Sequence, residues 1–354
     1  MQFNANLAKY YVFVFLVLMC EKCARGDRNQ CKSQENGDCK GLEKINLLLV
    51  GKTGAGKSTT GNTILRQTVF KTSSSATSAT KEIQSGSSEY KGYVFKVVDT
   101  PGVFDTEMSQ EELGEILVTS MSASPEGYHA LLLVVPFGHR FTKEDEGTVE
   151  TLKDIYGEET VEKNIILVVT RGDSFNPKDE GVSDFNEWCV KQTGSFRRLL
   201  RECSRRVVLF DNKTKDKKVI DRQIDELIGL VHQIKKSYSK DDFKKYNLRS
   251  KSFKAMKNVY EDFKSIGQNY DSNQLPKLEH LKEEAQTLED ILVENIETDI
   301  ELAELLKKCK QLIKYISHAI ESAKENTPSN TGLVVPFIGY VWDLVKSLFK
   351  YFFG

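Results

Sequence analysis

The chain has 354 residues, long enough for one large or two ordinary domains with a real core. Charged residues make up 29% and apolar residues 39%, which excludes wholesale disorder, and a formal net charge of −1 gives none of the basic excess that nucleic-acid binding needs. Seven cysteines, four of them (Cys20, Cys23, Cys31 and Cys39) ahead of residue 40, form neither a regular disulfide framework nor a repeated zinc spacing.

Residues 1–42 carry an apolar run, YYVFVFLVLMC (Tyr10–Cys20), behind Lys9. It is shorter than the roughly 20 residues that span a bilayer. It has the length of a signal-peptide core, but the EKCARG that follows is a poor cleavage site.

From residue 43 to about 240, short apolar runs alternate with helical patterns. INLLLV (Ile45–Val50) reads as a buried strand that enters GKTGAGKS (Gly51–Ser58), and TTGNTIL continues as a helix. That strand–loop–helix context is what G-x-x-x-x-G-K-[S/T] requires. The expected cradle is Gly51, Thr53, Gly54, Ala55, Gly56, Lys57, Ser58 and Thr59, where backbone N–H groups and a helix N-terminus favour phosphate. Lys57 is expected at the β- and γ-phosphates, as a catalytic residue, and the Ser58 hydroxyl on Mg2+.

VFKVVD (Val94–Asp99) is the second strand and ends in DTPGVFDT (Asp99–Thr106). Asp99 is positioned to hold Mg2+ through water, and the Gly102 N–H to sense a terminal phosphate. Val103 follows, where many GTP-hydrolysing proteins carry a water-orienting glutamine. SQEELGEILVTSMS reads as a helix, ALLLVV (Ala130–Val135) as a strand opened by a structural His129, and EDEGTVETLKDIYG as a helix. NIILVVT (Asn164–Thr170) ends in TRGD, with Thr170, Arg171 and Asp173. A carboxylate there accepts two hydrogen bonds from N1 and N2 of guanine, an edge that adenine lacks. FRRLLREC and RVVLF (Arg206–Phe210) close the series. The alternation predicts an α/β fold, a mostly parallel sheet flanked by helices, with nucleotide at the carboxyl ends of the strands.

Residues 241–330 read as a helical extension, with one long charged stretch from Pro276 to about Lys324. Leu281, Leu288, Leu292 and Ile296 form an apolar stripe, which fits either a coiled-coil seam or a helix packed on the body. NTPSNTG (Asn326–Gly332) is a linker by composition. Residues 331–354 form a hydrophobic amphipathic segment whose Phe337, Trp342, Phe349 and Phe352 lie beside Lys346 and Lys350. It suits a membrane interface, with a helix docked on the protein as the alternative.

This series resembles the GTPases of immunity-associated proteins, also called immune-associated nucleotide-binding proteins. The resemblance runs from Ile45 to Ile234 and rests on GKTGAGKSTTGNTIL, SATSATKEI, DTPGVFDT, the box YHALLLVVPFGHRFTKEDEGTVETLKDIYG, TRGD and FDNK (Phe210–Lys213). It implies a septin-like and chloroplast-receptor-like P-loop GTPase domain that binds GTP or GDP with Mg2+. It also implies slow hydrolysis, homodimers or oligomers formed across the nucleotide face, and attachment to intracellular membranes. By position it implies Thr80 as the threonine that completes the Mg2+ shell, with Thr77 as the alternative, and Asn212 packed on the base. Arg140 would reach across a dimer to a partner's phosphate; the alternative is a surface arginine paired with Glu144 or Asp145.

With Val103 unable to orient a water, the expectation is a GTP-dependent self-associating switch or scaffold, a slow enzyme activated by dimerisation. A GTP-bound scaffold without turnover and a P-loop ATPase or kinase are the rival readings. Free GTP is a cytosolic ligand and the scattered cysteines suit a reducing compartment, which argues against secretion. The N-terminal run then reads as an anchor aided by acylated Cys20 or Cys23, with Lys22, Arg25 and Arg28 keeping the domain cytosolic, or as a start-site artefact.

Overall fold

The computed structural model describes residues 42–72, 83–102, 116, 119–139, 141–267, 271–296 and 299–325. The N-terminal run, Thr77, Thr80, Val103, Arg140, the Asn326–Gly332 linker and the C-terminal amphipathic segment lie outside the described residues. The chain divides into two compact units, Met1–Lys244 and Lys245–Gly354.

In the first unit, six strands form one sheet: β1 (Glu43–Val50), β2 (Gln84–Tyr90), β3 (Tyr93–Asp99), β4 (Ala130–Pro136), β5 (Ile165–Thr170) and β6 (Val207–Leu209), in the order β2-β3-β1-β4-β5-β6. All neighbours pair in parallel except β2 with β3. Unbroken apolar runs suit the central strands because both faces are covered. Ile45, Leu47, Leu49, Leu132, Val134, Ile166 and Val168 pack on one side with Ile64 and Leu65 of α1 (Lys57–Leu65) and Ile224, Leu227 and Val231 of α6 (Lys217–Val231). Leu48, Val50, Leu131, Leu133, Leu167 and Val169 face the other way, against Val149, Leu152 and Tyr156 of α2 (Lys143–Tyr156) and Leu199 and Leu200 of α5 (Gly194–Glu202). Between these last two helices in sequence lie α3 (Glu158–Asn164) and α4 (Phe185–Lys191).

The edge strand β2 escapes the reading of the sequence. QSGSSEY has no apolar run, because an edge strand with alternating exposure needs none. Its partner is set by a two-residue turn at Lys91 and Gly92, whose φ of 46° and 88° match the twist of a tight hairpin.

The second unit is helical: the greater part of α7 (Lys240–Ser265), then α8 (Leu275–Asn295) and α9 (Ile300–Glu325). The single stretch read from Pro276 to Lys324 is therefore two helices. They run antiparallel, since Glu279 pairs with Lys324, Glu289 with Lys310, and Cys309 Sγ lies 3.2 Å from Ala285 O. Leu281, Leu288 and Leu292 are buried in the hairpin with Leu305, Leu312 and Ile316, so the apolar stripe packs within this unit. The reversal is marked by Asp299, whose Oδ1 accepts from Leu302 N at 3.2 Å while Oδ2 accepts from Arg249 Nε at 2.8 Å and Nη2 at 2.6 Å. An apolar stripe continues through such a turn, so periodicity alone conceals it.

Two predictions follow from single polar contacts. Asp299, its side chain 4% exposed, both caps α9 and neutralises Arg249. Asp299→Ala should destabilise the helical unit by about 3 kcal/mol, read as a lower urea midpoint for loss of helix. In the first unit, just ahead of β4, His129 Nδ1 accepts from Asn46 N at 2.9 Å, which requires a neutral ring. Burial holds the His129 pKa below its usual value, against the pull of Glu43 and Glu126. The neutral form is thus favoured on folding, and stability should be full above the unfolded pKa of about 6.5 and fall as pH drops towards the folded value. His129→Asn keeps an acceptor that does not titrate, and should flatten that part of a denaturation-versus-pH profile.

Candidate functional site

The phosphate loop forms where β1 ends and α1 begins. Gly51, Gly54 and Gly56 adopt φ of 145°, 76° and 99°, conformations that side chains resist. At Gly51 there is a second reason: a Cβ would lie 2.6 Å from Val134 O, so only glycine lets the loop leave β1 beside β4. Thr53 and Ala55 complete the loop, and Thr59 follows in the first turn of α1. Lys57 is 6% exposed and its ammonium donates to Gly51 O at 2.9 Å and Lys52 O at 3.0 Å. The lysine is therefore held across the loop.

Ser58 and Asp99 meet beneath it, although 41 residues separate them in sequence: Ser58 Oγ donates to Asp99 Oδ2 at 2.6 Å. Asp99 is fully buried. A hydroxyl and a carboxylate are the hard oxygen ligands that Mg2+ selects, so the donor set fits that ion. Gly102 lies against Thr53, where a Cβ would overlap the threonine side chain. This close approach brings the DTPG backbone to the phosphate loop and explains why a glycine stands there.

The base-recognition loop is built on β5. Thr170 is 3% exposed and its hydroxyl donates to Ala55 O at 2.8 Å, bolting the phosphate loop to the end of the strand. Arg171 takes a left-handed turn (φ 60°) into a 3-10 turn, Gly172–Ser174, that presents Asp173. Asp173 Oδ2 accepts from Lys213 Nζ at 2.7 Å. Asn212, expected on the base, turns its side chain to α1: Oδ1 accepts from Thr63 Oγ1 at 2.8 Å and Nδ2 donates to Thr60 Oγ1 at 2.9 Å. Both ends of the amide are thus used in bracing FDNK against the helix. Asp211 shapes the same loop, its Oδ1 accepting from Lys213 N and Thr214 N at 2.9 and 3.0 Å.

The first unit thus brings together Gly51, Thr53, Gly54, Ala55, Gly56, Lys57, Ser58, Thr59, Asp99 and Gly102, with Thr170, Arg171 and Asp173 beside them and Asn212 behind; Thr80 and Arg140 lie outside the described residues. Lys213 and the Lys52–Asp145 ion pair (2.8 Å) were not singled out from the sequence. Lys213 was within reach as the last residue of FDNK. No spacing rule links Lys52 to Asp145. One consequence of the Thr170 bolt is testable: Thr170→Val strands the Ala55 carbonyl and should cost about 1–2 kcal/mol of stability and weaken GDP binding, with Thr170→Ser close to wild type in thermal unfolding and calorimetry.

Immune-associated nucleotide-binding protein 8 of Arabidopsis thaliana is 35% identical over 192 residues, 54% of this chain and 54% of that protein. Protein 10 of the same series is 35% identical over 191 residues, 53% of this chain and 40% of its own length. At 35% identity the chain therefore spans about half of these relatives or less. A longer match, 29% identical over 292 residues, covers 79% of this chain and 84% of immune-associated nucleotide-binding protein 3 from the same plant. Among solved structures, Toc33 from Arabidopsis thaliana in complex with GDP and Mg2+ aligns with a TM-score of 0.45 and 20% identity over 56% of this chain and 88% of that one. The profile of the AIG1 family matches residues 45–262, a span that runs from β1 through the phosphate loop, DTPG, TRGD and FDNK into α7. With well over half of its length matched, the chain belongs to the AIG1 family.

Proposed function

We propose that this protein binds guanine nucleotide with Mg2+, hydrolyses GTP slowly, and uses the GTP-bound state to self-associate as a switch or scaffold on the cytoplasmic side of an intracellular membrane. The observation that carries the nucleotide reading is the convergence of the phosphate loop, the Ser58–Asp99 pair and Asp173 at the carboxyl ends of β1, β3 and β5.

Each residue then has a defined task. The loop amides and the start of α1 receive the phosphates, and Lys57 exchanges the carbonyls of Gly51 and Lys52 for phosphate oxygens. Ser58 and Asp99 would hold Mg2+, which would supply positive charge against the phosphates. The Gly102 N–H faces the terminal phosphate and Asp173 accepts from the guanine edge once Lys213 yields its place. No general base is visible among the motifs, and Val103 replaces the water-orienting glutamine, so chemistry by the lone chain is slow. Arg140, from a second copy, supplies the missing positive charge; arginines in that role raise rates by roughly 10³–10⁵-fold. The membrane part rests on the aromatic, lysine-flanked sequence of residues 331–354.

The test is GTP turnover per protein over a range of concentrations, with particle size followed under GDP and under a GTP analogue. The specific rate should rise with concentration alongside GTP-dependent assembly, and Arg140→Ala should flatten the rise. A flat, negligible rate with tight GTP binding would instead support the scaffold without turnover. A preference for ATP, or a GTP preference that survives Asp173→Ala, would remove the guanine reading.

A further inference from the structure

Lys52, the second residue of GKTGAGKS, faces two ways. Its carbonyl accepts from Lys57 Nζ at 3.0 Å and from Ala55 N at 3.2 Å, inside the phosphate loop. Its own ammonium crosses to Asp145, 2.8 Å away in the first turn of α2. Asp145 is divided in the same manner. Oδ1 takes the Lys52 ammonium, while Oδ2 accepts from Thr142 N at 2.8 Å and Thr142 Oγ1 at 3.0 Å, closing the cap of that helix. Burial alone would raise the Asp145 pKa, but the donors from Lys52 and Thr142 outweigh it and keep the carboxyl below its ordinary value, hence charged at neutral pH.

An ion pair with side chains 30% and 25% exposed contributes little to stability. What it fixes is position. We propose that the Lys52–Asp145 pair is a positioning link through which occupancy of the phosphate loop reaches the start of α2, the helix of the GHRFTKED box. The proposal rests on the phosphate-binding reading of the loop and names the contact by which nucleotide reaches the box. When phosphates arrive, Lys57 leaves the Lys52 carbonyl, and the phosphate charge competes with Asp145 for the Lys52 ammonium. Nucleotide and helix cap thus share one cation, which gives the start of α2 two arrangements that nucleotide can bias.

Amide hydrogen exchange over residues 141–147, without nucleotide and at saturating GDP or GTP analogue, reads this link without requiring hydrolysis. Asp145→Asn keeps an acceptor for the Thr142 cap while removing the charge, and Lys52→Met removes the ammonium from the other side. In the wild type, nucleotide should change exchange at these amides by about fivefold or more. Both variants should lose the change, the double variant should be no worse than either, and Lys52→Arg should retain it. A wild-type response in Asp145→Asn, or additive effects in the double variant, would overturn the proposal. So would a large loss of GDP affinity in Lys52→Met with an unaltered exchange response in Asp145→Asn, which would make Lys52 a direct phosphate ligand. If calorimetry shows no GDP binding by the wild type, the nucleotide reading fails first and the link falls with it; if GDP binds and the exchange response is absent, the link alone fails.

Discussion

The nucleotide end of this fold hangs on the parallel pairing of β1 between β3 and β4. The register sets Leu49 opposite Asp99 and Val50 opposite Leu133, so β1 turns into the phosphate loop where β3 delivers its carboxylate. Ser58 and Asp99 can then meet at 2.6 Å across 41 residues of chain. A register slip would turn side chains to the opposite face and part that pair. Packing covers β1 on both faces, since Ile45, Leu47, Leu48, Leu49 and Val50 are all buried.

The central strands and the order of the motifs were legible in the sequence for the same reason. Buried parallel strands read as unbroken apolar runs, and a loop whose backbone wraps phosphate must carry glycines at fixed offsets. What stayed hidden was set by geometry without periodicity. QSGSSEY forms β2 only because Lys91 and Gly92 fold it back on β3, and the α8–α9 reversal sits at Asp299 inside a continuous apolar stripe. Asn212 and Thr170 were recognised as motif positions, but their side chains serve as braces, on Thr60 and Thr63 of α1 and on the Ala55 carbonyl. The pairs Lys213–Asp173 and Lys52–Asp145 join segments distant in sequence and leave no local trace.

Three lysines at the site have partners within the protein itself. Lys57 is satisfied by carbonyls, Lys213 by Asp173 and Lys52 by Asp145. On the proposed reading, two of these contacts would be replaced when nucleotide binds: the carbonyls at Lys57 by phosphate oxygens, and Lys213 at Asp173 by the guanine edge. Binding on that reading would be an exchange of partners, favouring a ligand that satisfies the phosphate and base ends together. The same reading predicts selectivity at Asp173, since a base without two donors would leave the carboxylate to its lysine.

The most direct test of this account is a calorimetric titration of the full chain with GDP and with ADP, with Mg2+ present and after its chelation. The account predicts that GDP binds at least about 100-fold more tightly than ADP and that chelation weakens GDP binding. Equal affinity for the two nucleotides would contradict the assignment of Asp173, and with it the reading of this site as a guanine-nucleotide switch.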